Sequence, residues 1–556
     1  MRFGVKTSAL VLGLVTSAAI SSFVFSLSAI AQEPAAGASA TATDASATPA
    51  PAEGGGDPVQ LLEKGEAAMK AGDHAAAITA FNEAGAAVQQ ALPQTSPENI
   101  PKLQSIQIGA LVGRGRAMAA MKEFEAAEKD FRSILQDQPE NVLALVALGN
   151  MKLDMGRADD VEDALDSFQK ATKVDSKNAE ALVGYGKALV MLNRVDEAIS
   201  PLTRAIAIDP KNAEAYRYRG TAYSGLYKTK QAVDDLKHAI ELNPDDYEAY
   251  YSFGVVDMRL EDYQGAVNQL IEAIKHYKPK PDQEDVPYYQ GHLTLAAAYI
   301  EVGKAAKDPA AQKAAYETAA AEAQKLVEQL ETKNPGHAKV LAAALFSRGV
   351  AERMLGQLGP AVRTLTQAIE LRSSQPDDST AAFLNDAYFR RGICFHMIGE
   401  DKMAITDFET ASHLGNDPRA SLWAGFTHAK MGEYNDALKA YGDAIAASDR
   451  YTPAYYNRAL TYMMTGDYEK AIVDFNDAIR LEPGNAEYYY KRGLAYKQLG
   501  DNKRAAESFA TAIEFDNKHE GAHRHMSDIQ GRLGNSELAD KYRQKAEELA
   551  PPKKAK

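Results

Sequence analysis

AEALVGYGKALVMLNRVDEAI, which starts at residue 179, and AEAYRYRGTAYSGLYKTKQAV, which starts at residue 213, are two passes through one pattern, and they decide the fold. A third pass, AEYYYKRGLAYKQLGDNKRAA, starts at residue 486. In each, apolar residues recur at the spacing of one helix face, a break follows, and a second helical stretch begins. The first two passes close on Asp209-Pro210 and Asn243-Pro244, where proline stops a helix.

Working outward from these segments, the same register runs through most of the chain. The eighth position is small, as at Gly115, Gly149, Gly186, Gly220, Gly254, Gly392, Gly425 and Gly493, which lets two helices approach closely. The twentieth is alanine, as at Ala77, Ala127, Ala198, Ala232, Ala404 and Ala471. The twenty-fourth is a large plug, as at Phe81, Phe131, Phe168, Leu236, Phe408, Tyr441, Phe475 and Phe509. Between the helices, Gly72-Asp73, Gly399-Glu400, Gly432-Glu433, Gly466-Asp467 and Gly500-Asp501 supply a left-handed stop and a new cap.

This pattern resembles the tetratricopeptide repeat. The register gives thirteen repeats, starting near residues 58, 108, 142, 179, 213, 247, 289, 342, 385, 418, 452, 486 and 520. The resemblance implies an all-α fold, a right-handed α-solenoid of antiparallel helix pairs, whose function is to bind protein. Two places depart from it: an insertion at about residues 90–107, and a seventh repeat with an Ala-rich insertion before a second helix at about 319–333. The expected organisation is a proximal array over 58–280, a degenerate repeat over 281–341 and a distal array over 342–550 with a charged capping helix.

The N-terminus reads as an address. Arg2 and Lys6 precede an uncharged stretch from Ala9 to Ala31 that ends Ala29-Ile30-Ala31-Gln32, the layout of a secretory signal peptide. Residues 1–31 are therefore expected to export the protein to the bacterial periplasm or cell envelope, or, uncleaved, to anchor it in the membrane. That anchor is the only membrane contact expected. Residues 32–57, rich in Ala, Pro and Thr, read as a disordered linker, and 551–556 as a short basic tail.

One period-locked pairing stands out. Arginine occupies the seventh position at Arg114, Arg219, Arg348, Arg391, Arg458 and Arg492. Sixteen residues on, aspartate occurs at Asp130, Asp235, Asp407 and Asp474, always in a repeat that carries the arginine. The expectation is a structural ion pair between the two helices of a repeat: Arg114–Asp130, Arg219–Asp235, Arg391–Asp407 and Arg458–Asp474. If exposed, each contributes about 0–1 kcal/mol.

The net charge of −14 argues against nucleic acid, which needs clustered Lys and Arg. Cys394, the only cysteine, cannot form an internal disulfide or a Cys-rich zinc site and reads as a buried apolar residue. No phosphate loop, zinc-protease motif or nucleophile elbow is present, and His519, His523 and His525 lack a completing ligand. The expectation is no enzyme, no cofactor, no metal and no small-molecule substrate.

In the family, the first helix of each repeat lines a concave groove through positions 2, 5, 9, 12 and 13. The carboxylate clamp of chaperone-binding members is absent: Leu422, Phe426, Asn457, Glu487 and Lys491 hold its places, only the asparagine matches, and Glu487 would repel a carboxylate. Those positions are instead apolar in the distal array: Phe346, Val350, Phe389, Ile393, Met397, Leu422, Phe426, Tyr456, Leu460, Met463, Met464, Tyr490 and Leu494. They form a groove for a peptide or helix of a partner protein, or they pack one helix on the next. The proximal positions are more polar, with Lys187, Arg217, Thr221 and Ser224. The functional expectation is an exported interaction scaffold or adaptor; the alternative is a non-catalytic subunit that positions an envelope enzyme for cell-wall or glycan synthesis.

Overall fold

A computed structural model describes residues 56–279, 288–331 and 337–550. The expected signal peptide, nearly all of the expected linker and the basic tail lie outside the described residues. Among the described residues there are twenty-six α-helices and no strand. Consecutive helices pack on one another as hairpins along the chain, giving an α-solenoid of the tetratricopeptide type. The chain divides into two compact units. One ends at Glu322 and also takes His337; the other holds residues 323–331 and 338–550.

Within the second unit, the helices Ala486–Gln498 and Asn502–Phe515 show how the sequence makes a hairpin. The Asp501 carboxylate accepts from the Arg504 backbone N–H at 3.0 Å, and Gly500 takes φ +80° to turn the chain into that cap. Ala505, Phe509 and Ala512 line one face of the second helix and are fully buried. A Cβ added to Gly493 would stand 2.6 Å from the Phe509 ring, so only glycine admits the plug. Burying such a ring contributes about 1.5–3 kcal/mol per hairpin.

The first unit uses the same device and extends it. Phe168 fills the space over Gly149 in its own hairpin, and Gly184, on the first helix of the next hairpin, meets the same ring from the other side. Phe81 is held likewise by Gly65 and Gly113. The plug therefore joins neighbouring repeats as well as the two helices of one.

The two irregular stretches differ from expectation. Residues 90–107 are mostly absorbed into helices: His74–Ala91 runs on, two 3-10 turns follow, and the next helix spans Ile100–Ala120. The degenerate repeat contains no insertion ahead of its second helix. Pro309–Glu331 is one helix of 23 residues. Alanine, glutamine, lysine and glutamate favour helix, Asp308 caps its start through the Ala311 N–H at 3.0 Å, and Pro309 suits the first turn. Cys394 is buried, and burial pushes its thiol up to about 11. No helix among the described residues is long and apolar enough to cross a membrane.

Candidate partner-binding face

The candidate face lies on the first helix of each hairpin, so what fixes those helices comes first. The structure brings all four Arg–Asp pairs together as two-pronged forks. Arg114 donates through Nε and Nη2 to Asp130 at 2.7 and 2.6 Å. Arg219 meets Asp235 at 2.7 and 2.8 Å, Arg391 meets Asp407 at 2.8 and 2.7 Å, and Arg458 meets Asp474 at 2.8 and 2.7 Å. The aspartates are 3–7% exposed, so these are not the exposed pairs that a small energy would describe. Hydrogen bonding to the carboxylate holds the Arg114, Arg219 and Arg458 guanidinium groups more firmly charged. Burial pushes the Asp407 carboxyl up, against the pull of Arg391.

The third nitrogen of each fork does what the sequence did not signal. Arg114 Nη1 reaches back to Asn82 at 2.6 Å, Arg219 Nη1 to Thr203 at 3.3 Å, and Arg391 Nη1 to Thr366 at 3.0 Å. Each acceptor sits at the twenty-fifth position of the preceding repeat. Arg458 faces Gly442 at that position; a Cβ there would lie 3.9 Å from its Nη1. Three of the four forks thus tie three helices and set their repeat against the one before. The two arginines without an aspartate keep part of the scheme. Arg492 bonds Ser508 at 3.2 Å and Asn476 at 2.8 Å, and burial pulls its guanidinium down. Arg348 bonds Glu352 at 2.9 Å and Gln324 at 2.6 Å.

In the first unit, the groove positions form a ladder of charges satisfied across repeats. Arg116 stands 3.5 Å and Asn150 3.0 Å from Glu180, and Lys187 stands 3.7 Å from Glu214. Arg217 meets Asp246 at 3.0 Å and also pairs with Glu248. Each glutamate is the second residue of a later repeat's first helix, the next one for Asn150, Lys187 and Arg217 and the next but one for Arg116, so the cations of this face are neutralised from within. Thr221 bonds Ser252 at 3.3 Å, and Ser224 is buried against Arg259 at 2.8 Å.

In the second unit, the apolar residues divide. Met397, Phe426 and Met464 are exposed, at 56%, 36% and 60%. Ile393, Tyr456, Leu460, Met463, Tyr490 and Leu494 are half-buried. Phe346, Val350, Phe389 and Leu422 are buried, and this corrects the expectation that they line a groove. The reason lies in the next repeat. The Arg390 guanidinium covers the Phe346 ring at 5.5 Å, and Arg419 covers Phe389 at 5.0 Å. Leu422 belongs to a cluster with Tyr441 and Ala454. Tyr456 rests on Tyr488 at 5.1 Å and Tyr490 on His519 at 4.4 Å, so both offer an edge only.

What remains open is a strip built on position 9 of successive repeats, Ile393, Phe426, Leu460 and Leu494, with Met397, Met463 and Met464 beside it. Its aromatic part includes two residues that sequence reasoning passed over: Phe426 lies 5.6 Å from His396 and 5.9 Å from Trp423. His519 is structural. Its Nδ1 accepts from the Ala522 backbone at 3.1 Å, and its Nε2 meets Glu487 at 3.1 Å.

Models of the tetratricopeptide repeat match residues 156–213 and 486–519, and a TPR repeat model matches residues 462–500. The chain carries tetratricopeptide repeats. Among curated proteins, it is 33% identical over 78 residues to Protein CTR9 homolog of Arabidopsis thaliana, a match spanning 14% of this chain and 7% of that protein. Among solved structures, the crystal structure of MamA is 24% identical, with a TM-score of 0.28, over 28% of this chain and 93% of that one. YrrB, described as a TPR protein with an unusual peptide-binding site, is 21% identical with a TM-score of 0.30, over 36% and 95%. The APC/C hetero-tetramer Cut9-Hcn1 is 15% identical with a TM-score of 0.31, over 80% and 94%.

Proposed function

We propose that this chain is an exported protein-interaction scaffold that takes a short apolar segment of a partner along the first helices of its distal repeats. The observation that carries this reading is the contrast between the two units. At position 9 of the first helices, Arg116 and Lys187 are paired with glutamates in the first unit, whereas Phe426 is exposed in the second, with Met397 and Met464 exposed beside it at position 13. Methionine adapts its shape to different ligands, and an aromatic ring gives a firm anchor. A helix or extended peptide with two or three apolar anchors fits this chemistry.

Peptides selected by display on the full chain test the reading. The triple variant Met397→Ser, Phe426→Ala, Met464→Ser removes the exposed anchors and leaves the buried residues alone. Selected peptides are expected to lose about tenfold or more in affinity with unchanged circular dichroism, since one truncated anchor costs more than about 1 kcal/mol. Equal affinity for both proteins would refute the placement. For export, the N-terminal sequence of the protein recovered from an envelope fraction is expected to begin at Gln32.

A further inference from the structure

One slot recurs in two hairpins with different contents. In the hairpin Val142–Met155 and Ala158–Val174, Lys152 stands three residues after the close-approach Gly149. Its ammonium lies 3.2 Å from Asp160, 3.6 Å from Asp163 and 3.2 Å from Glu128 of the preceding hairpin. Lys152 is 6% exposed, so three carboxylates hold one buried cation.

In the hairpin Pro418–Met431 and Tyr434–Ala447, the equivalent residue, three after Gly425, is His428. Counted back from the matching alanines Ala164 and Ala437, Asp160 corresponds to Glu433 and Asp163 to Asp436. Both carboxylates are again present. His428 Nδ1 is 2.7 Å from Glu433, and its Nε2 is 3.7 Å from Glu409 of the preceding hairpin. Donor atoms of His428, Glu433 and Asp436 lie within 4.8 Å of one another. Among the described residues, no Lys or Arg pairs with Glu409, Glu433 or Asp436. The Glu433 N–H also bonds the His428 carbonyl at 2.9 Å, across Gly432 at φ +82°, which fixes the two backbones against each other.

We propose that His428, Glu433 and Asp436 bind a divalent transition ion of the zinc class, which takes the place that the Lys152 ammonium holds in the earlier hairpin. One imidazole nitrogen and two carboxylate oxygens suit zinc or cobalt better than magnesium, which prefers all-oxygen octahedra. Glu409 faces the other ring nitrogen, where a carboxylate orients a metal-bound histidine. The ion bridges the end of one helix and the start of the next, and offers open coordination positions to a partner's donor group.

Calorimetric titration of the full chain with zinc chloride, and with cobalt chloride followed by visible absorption, tests this. His428→Ala is expected to bind one ion fewer than the unaltered protein. Glu409→Gln is expected to keep the ion with roughly tenfold weaker affinity. His428→Lys rebuilds the Lys152 arrangement. It is expected to lose the ion, keep the native circular dichroism, and unfold at a temperature that no longer responds to zinc. Equal zinc stoichiometry in the unaltered protein, His428→Ala and His428→Lys would overturn the proposal, as would magnesium binding at the site as tightly as zinc.

Discussion

Replacing Asp474 by alanine removes one fork and leaves the rest of its hairpin untouched. Arg458 gives Asp474 two charge-assisted hydrogen bonds, at 2.8 and 2.7 Å, with the Asp474 side chain 4% exposed and the Arg458 side chain 24% exposed. Each such bond contributes about 1.5–3 kcal/mol by substitution. Water reaches one edge of the freed guanidinium and offsets part of the loss, so Asp474→Ala is expected to cost about 2–4 kcal/mol. A double-mutant cycle with Arg458→Met isolates the pair, with an expected coupling of about 1–3 kcal/mol. The exposed pair Arg480–Asp477, at 3.2 Å with side chains 63% and 36% exposed, serves as the control at about 0–1 kcal/mol. Long arrays do not unfold as one unit, so the readout must be local. Trp423, the only tryptophan, reports by fluorescence on the neighbouring repeat during urea unfolding. A coupling no larger than the control would refute the claim that the forks fix the helices.

Two further substitutions follow from single observations. Gly442→Asn places an acceptor beside Arg458 Nη1, where Asn82 and Asn476 serve the equivalent arginines, and removes a glycine from a helix interior. It is expected to stabilise by about 0.5–1 kcal/mol in the same assay, a few tenths of it from helix propensity and the rest from the added hydrogen bond. Asp257 is 6% exposed, and burial together with Asp262 pushes its carboxyl up to about 6. An unfolded aspartate titrates near about 3.9, so ionising Asp257 costs the folded state stability, and that cost grows from pH 4 and is complete above pH 6. Asp257→Asn is therefore expected to stabilise by about 1–2 kcal/mol at pH 7.5 and to change little at pH 4; a gain that does not vary with pH would contradict the assignment.

The parts of the molecule legible in the sequence are those where one residue type must recur. Only glycine admits the plug at Gly115, Gly149, Gly425 or Gly493, so the period shows. The four forks were legible because both partners are charged and sixteen residues apart. The third contact that three of them make was not, since asparagine or threonine accepts equally well, as Asn82, Thr203 and Thr366 do. The groove was half legible. Composition marks Phe346 and Phe389 as apolar on the right face, but the arginines that cover them belong to the next repeat and follow no fixed spacing: Arg390 lies forty-four residues after Phe346 and Arg419 thirty after Phe389. The helix Pro309–Glu331 was misread because its repeat register fails while its helix propensity does not.

The most direct test of the central claim is methyl NMR of the full chain labelled at methionine, with and without a display-selected peptide. The account predicts shifts at Met397, Met463 and Met464, with Met121 and Met191, which are exposed in the first unit, unchanged. Shifts at the first-unit methionines with the distal three silent would place the partner on the charged face and contradict it.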